Sequence, residues 1–163
     1  MTINDTWAYN PDDHGYKSAT TLITTLVEVV SKGGNFLLNV GPRPDGTIQP
    51  EFVERLGAVG VWMRRHGEAI YGTRVSRLDR QDWGYSTART DRDQHALYLH
   101  VTSWSGPDAD QVTVDGLPGA LHQVTVLGTG QPVEVTRAGQ RTTITVPAAL
   151  HDEHVTVVKV LHG

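Results

Sequence analysis

The sequence predicts an α+β chain, with a helix, a strand and a helix over residues 1–72 and an antiparallel β-sandwich over residues 73–163. Three observations carry this. In the first stretch, apolar residues recur at helical spacing on both sides of one short apolar run. From about Thr73 the apolar period changes to two. Turn residues then break the second stretch at near-regular intervals, as in a sandwich of short strands.

Ser18 is placed to cap the first helix, in which Ala19, Leu22, Ile23, Leu26, Val27 and Val30 fall on one face. Lys32 falls in its last turn, and Gly33-Gly34 end it. Asn35-Phe-Leu-Leu-Asn-Val40 reads as a strand covered on both faces, because no polar residue alternates within Phe36–Leu38. The glycine and prolines of Gly41–Gly46 exclude regular structure, and Asp45-Gly46 is turn chemistry. Pro50 suits the first position of a second helix, with Glu51 in its first turn. Phe52, Leu56, Val59 and Met63 form its apolar stripe, and Gly67 is its expected stop.

Beyond Tyr71-Gly72-Thr73, strands are predicted at 96–101, 111–114, 123–126, 141–146 and 154–160. The turn signals between them are 105–108, Asp115-Gly116, 117–119, Gly128-Thr-Gly130 and Ala138-Gly139. Charge does not mark the boundary. Residues 1–72 hold six basic and eight acidic residues, and residues 73–163 hold eight and ten.

Composition excludes several classes of function. The absence of cysteine removes a disulfide scaffold, a thiolate metal site and a cysteine nucleophile together. A formal net charge of −4 without a basic run argues against a nucleic-acid or membrane-surface partner. The most apolar stretch, Leu22–Val30, is interrupted by Thr24, Thr25 and Glu28 and is too short to span a bilayer. Met1-Thr-Ile-Asn-Asp-Thr-Trp has neither the basic start nor the apolar core of a signal peptide, so localisation stays open. No cofactor motif and no phosphate loop is present, and no cofactor is expected.

One buried strand cannot make a two-sided sheet, so the chain looks like the tail of a larger protein. Four blocks give that impression an identity. Thr2-Ile-Asn-Asp-Thr-Trp-Ala-Tyr-Asn10, Ser31-Lys-Gly-Gly-Asn-Phe-Leu-Leu-Asn-Val-Gly-Pro42, Asp45-Gly-Thr-Ile48 and Gly67-Glu-Ala-Ile-Tyr-Gly72 resemble the α-L-fucosidases of glycoside hydrolase family 29. One departure is Ala8, where that family usually has glycine.

The resemblance implies that residues 1–72 are the end of a catalytic (β/α)8-like barrel, which when complete takes roughly 250 residues. It also implies a retaining mechanism, in which a nucleophile and an acid/base carboxyl stand about 5–5.5 Å apart. Both lie upstream of Thr2 in the family, so no catalytic residue is expected here. By the same resemblance Trp7 lies against the apolar face of fucose, with Tyr9 on the same loop. These two are the expected substrate-binding residues. The implied partners are a fucosylated glycan in the complete enzyme and a separate N-terminal barrel portion.

Other residues read as structural. Asp12-Asp13 after Pro11 and Asp45-Gly46 are turn carboxylates, and Asp5 is an unremarkable rim charge. Asn35 and Asn39 flank the expected strand; Asn39 could point toward a barrel interior near the site or simply bond loop backbone, and the structural role is preferred. His151-Asp-Glu-His154 imitates a metal cluster, but its histidines would share a face only on a helix, and a strand follows at once. The alternative to a fucosidase portion is a non-catalytic glycan-binding or structural sandwich. Its candidate platform is Trp83, Tyr85, Tyr98 and Trp104, set against the ordinary explanation that strand aromatics pack in a core.

Overall fold

The protein is described here from a computed structural model covering residues 1–91, 94–104, 110–117 and 119–163. Helix α1, Ala19–Ser31, starts where Ser18 predicts. The Ser18 Oγ accepts from the Thr21 N–H at 3.1 Å, which satisfies one of the first-turn donors. Gly33 (φ 75°) turns the chain away after it. Helix α2, Pro50–His66, opens on its proline with Glu51 in the first turn and places Arg64, Arg65 and His66 at its negative end.

Two details of α2 depart from expectation. Gly67 is right-handed at φ −58°, so the helix tightens into a 3-10 turn over Gly67–Ala69 rather than stopping there. The buried residues are Phe52, Trp62 and His66, whereas Leu56 is 39% exposed. The stripe is therefore rotated, because the two ends of α2 meet different neighbours. Phe52 packs with Ile3 and Leu22, and Trp62 packs on a β-sheet.

Eight strands follow among the described residues. They are β1 Arg74–Val75, β2 Gly84–Asp91, β3 Gln94–Val101, β4 Gln111–Asp115, β5 Leu121–Val126, β6 Glu134–Ala138, β7 Arg141–Thr145 and β8 Thr156–His162. A five-stranded sheet runs β1-β2-β3-β8-β5, and a three-stranded sheet runs β4-β7-β6. Every pairing between these strands is antiparallel. The expected turns at Asp115-Gly116, Gly128–Gly130 and Ala138-Gly139 all carry positive-φ glycines. Those at 105–108 and 117–119 fall wholly or partly outside the described residues.

The five-stranded sheet is covered on both faces. Alternate residues Leu97, Leu99 and Val101 of β3, with Val158 and Val160 of β8, meet Val112, Val114 and Ile144 of the second sheet. The intervening Ala96 and Tyr98, with Val157, meet Ile23 and Val27 of α1 and Trp62 of α2. The order of layers is thus helices, five strands, three strands. The Tyr98 hydroxyl donates to Glu68 Oε1 at 2.7 Å, and Lys159 pairs with the same carboxylate. Burial and the Glu68 charge push the Tyr98 hydroxyl well above its ordinary pKa.

The sequence does not announce β2, whose Gly-Tyr-Ser-Thr-Ala-Arg-Thr-Asp has one large apolar residue. Its place comes from pairing with β3 along its whole length, from Gly84↔Val101 to Asp91↔Gln94. Only glycine fits at Gly84. Its φ is 152°, and a Cβ there would stand 2.0 Å from the His100 carbonyl oxygen.

Asn35–Val40 is extended but is not the two-sided strand expected. It makes one parallel bridge, Thr2↔Asn39. The Asn39 N–H donates to Met1 O at 2.9 Å, and the amino terminus donates to Leu37 O at 3.1 Å. Leu37 is 72% exposed, so the face of the segment on which it lies is uncovered. Amides of Leu97–Val101 and Val157–Val160 are accordingly expected to exchange slowly with solvent deuterium. Those of Phe36–Val40 should exchange fast, and the reverse order would contradict this picture.

Candidate functional site

Residues 1–3 and 37–40 lie parallel with α1 between them, which is the arrangement of a βαβ unit. Two loops therefore leave the same end, residues 4–17 and 41–49. In such units the groups that meet ligands sit on the loops at the carboxyl ends of the strands. Trp7 and Tyr9 are on the first loop. Trp7 is 65% exposed and Tyr9 is half-buried.

Asp13 holds the first loop in shape. Its Oδ2 accepts from Asp5 N at 3.0 Å, Thr6 N at 2.9 Å and Thr6 Oγ1 at 2.9 Å, and its Oδ1 accepts from Gly15 N at 3.0 Å. Burial pushes this carboxyl up, but the donors of Gly15, Thr6 and Asp5 outweigh that and hold it below its ordinary range. Asn4, almost fully buried, donates to Thr6 Oγ1 at 3.2 Å. Lys17 closes the loop at its far end, donating to Asn4 O at 2.8 Å and lying 3.6 Å from Asp5.

The two loops touch. Asn39 Nδ2 donates to the Trp7 carbonyl at 2.8 Å, so Asn39 bonds loop backbone as its sequence position suggests. Gly41 fits against the same stretch, where a Cβ would come within 2.8 Å of Ala8 C and Tyr9 N. Asp45 caps its own turn by accepting from Thr47 N and Thr47 Oγ1, and those bonds lower its pKa.

These carboxylates do not make an acid/base pair. Asp5 and Asp13 approach each other around Gly15, but Asp13 is saturated by four donors and Asp5 faces Lys17. A carboxyl held low by backbone donors has no proton to give at neutral pH.

His151 stacks on Trp104 with ring centroids 3.8 Å apart and bonds Val146 O at 2.8 Å, while His154 meets Thr20 Oγ1 at 2.8 Å. Asp152 turns to the buried His66, 3.3 Å away, and ties the end of α2 to the approach to β8. No group of three metal-ligating side chains forms among the described residues. Trp83 is buried with its indole N–H on Thr113 O at 3.0 Å, and Tyr85 and Tyr98 are also buried, so they form no exposed platform.

A sequence profile of the α-L-fucosidase family matches residues 1–68. A Branchiostoma floridae α-L-fucosidase is 36% identical over 140 residues, a match that covers 82% of this chain and 30% of that protein. The solved α-L-fucosidase isoenzyme 1 of Paenibacillus thiaminolyticus superposes on the whole chain with a TM-score of 0.88 at 32% identity. These matches support a C-terminal portion of an α-L-fucosidase. The chain covers 39% of the Paenibacillus fucosidase, and the part it shares with such fucosidases is the C-terminal one. A Thermotoga maritima α-fucosidase solved in complex with fucose also matches, with a TM-score of 0.77 at 31% identity over 98% of the chain. The expected fold class, a fucosidase barrel end followed by an antiparallel sandwich, agrees with these neighbours.

Proposed function

We propose that this chain is the sugar-binding rim and C-terminal sandwich of a retaining α-L-fucosidase that releases terminal α-L-fucose from oligosaccharides or glycoconjugates. The nucleophile and the acid/base then come from an upstream barrel portion. One observation carries the reading. The loop that presents Trp7 is locked from within by Asp13 and from the side by Asn39, yet its indole is left in solvent.

A ring held out by a rigid loop is suited to the apolar C–H face of a sugar. Fucose has such a face next to its methyl group. Covering it contributes on the order of 1–2 kcal/mol through buried apolar area. Tyr9, two residues on, adds a hydroxyl that can bond a sugar hydroxyl. The rim binds and orients, and the two carboxyls of the barrel carry out the displacement and the hydrolysis.

The test is a chimera in which residues 1–163 replace the matching part of the Paenibacillus thiaminolyticus fucosidase. It should hydrolyse an aryl α-L-fucoside, whereas the 163-residue chain alone should not. Trp7→Ala should raise KM or lower kcat in the chimera and leave the melting temperature of the isolated chain unchanged. Hydrolysis by the chain alone, or unfolding of the chain by Trp7→Ala, would overturn the reading.

A further inference from the structure

A cleft lies far from Trp7 in the chain, at the open end of the sandwich between the β1–β2 edge and the end of β4 at Gly116. Register shows how it is built. Arg74 stands beside Ala88, Ala88 beside Leu97, and Leu97 beside Val160, and the last two face the second sheet. Two residues further along, Thr90, His95 and His162 form the next row on that face. The three-stranded sheet does not reach this row, and a space of about 670 Å3 opens there.

Its floor is apolar, from Leu78 and Leu97, and its rim is basic, from Arg74 and Arg77. The rings of His95 and His162 stack at 5.5 Å and 17° beside Thr90, which accepts from the Arg74 guanidinium. Among the described residues the lining holds no aspartate or glutamate side chain, its one negative group being the carboxylate of Gly163, and neither Arg74 nor Arg77 has a carboxylate partner.

We infer that this cleft binds a compact, singly anionic sugar, one bearing a carboxylate or a sulfate. Each guanidinium offers paired N–H donors that match a planar carboxylate or two oxygens of a sulfate. The apolar floor suits a sugar C–H face, and the volume lies in the range of small-molecule sites, about 300–1,000 Å3. A long polyanion is disfavoured by the overall negative charge. The choice of a sugar among anions rests on the function proposed above, whereas the choice of an anion rests on the cleft alone.

Calorimetric titration of the 163-residue chain tests this with three probes: a glucuronic-acid-containing disaccharide, 6-sulfated N-acetyllactosamine, and unmodified N-acetyllactosamine. At least one acidic probe should bind tenfold or more tightly than the neutral one, and which does so separates carboxylate from sulfate recognition. Arg74→Gln with Arg77→Gln should lower that affinity tenfold or more. Arg77→Gln alone should lower it measurably, and it leaves the Arg74–Thr90 bond in place if the double variant misfolds. Equal binding of acidic and neutral probes, no binding at millimolar concentration, or unchanged affinity in a folded variant would each overturn the inference. None of these outcomes depends on fucoside hydrolysis, so the cleft and the fucosidase reading fail separately.

Discussion

Trp62→Ala is expected to cost about 3–5 kcal/mol of stability, the largest loss for any single side chain of the helical layer. Trp62 is 1% exposed and is the main side chain joining α2 to the five-stranded sheet. Its ring packs among Ile23, Val27, Tyr98 and Val157, and tilts against His66 at 4.9 Å. Its indole N–H donates to Val155 O at 2.9 Å, just before β8. Alanine would remove that contact area, leave a cavity between two rigid layers and orphan a buried carbonyl. Trp62→Phe keeps most of the area and loses the bond, so about 1–2 kcal/mol is expected. Urea titration measures both. A loss below about 1 kcal/mol for the alanine variant would mean that the helices and the sheet are not mutually dependent.

The second large effect is expected from acid. His100 is completely buried on β3, and burial, with the nearby His66 charge, lowers its pKa from 6.5 to about 3. Its Nε2 lies 2.9 Å from Thr87 Oγ1, and that hydroxyl donates onward to Ala69 O at 2.8 Å. Nε2 must therefore carry the proton and Nδ1 is bare, buried without any partner to accept the N–H that a second proton would create. The unfolded chain takes up a proton below pH 6.5 and the folded chain does not. Stability from this group is complete above pH 6.5 and is lost as the pH falls towards 3. At pH 5 the loss amounts to about 2 kcal/mol. Carboxylates such as Glu68 and Asp152, held low by their partners, add their own losses only at lower pH. His100→Gln keeps an N–H for Thr87 and cannot titrate, so it should flatten stability between pH 6.5 and 5. An equally steep variant would assign the acid sensitivity elsewhere.

The sequence made long periodic elements legible and left pairing-dependent ones dark. α1 with its Ser18 cap, the Pro50 start of α2, and the strands around Leu97–Val101 and Val157–Val160 could be read because their own apolar pattern specifies them. β2 and β6 could not, since each is a polar run held in register by a neighbour. The expected α2 stripe fails at Leu56 because the helix meets the cluster of Ile3 and Leu22 near Phe52 and the sheet near Trp62, and no single period describes both. Asn35–Val40 carries the composition of a buried strand without the neighbours that would bury it.

At the candidate site, Trp7 and Tyr9 could be named from the motif they belong to. That Asp13 shapes their loop could not, because its four donors are revealed only when residues 5–15 fold around it. The cleft at Arg74 and Arg77 was beyond reach for a stronger reason. Its parts come from four strands, a loop and a turn spread over the chain, and no motif joins them.

Covering the five-stranded sheet on both faces has a consequence for variation. An ordinary surface sheet leaves every second residue free to drift towards polar replacements. In β3 there is no such alternate set: Ala96 to Val101 are six consecutive buried residues, facing helices and strands in turn. Most single-base changes in those codons would put the wrong size or polarity against one layer or the other. β6, with four of its five residues exposed, can absorb many. Among natural variants of this chain, tolerance should therefore be graded across the strands, lowest at the shared wall and highest at the outer edge of the small sheet.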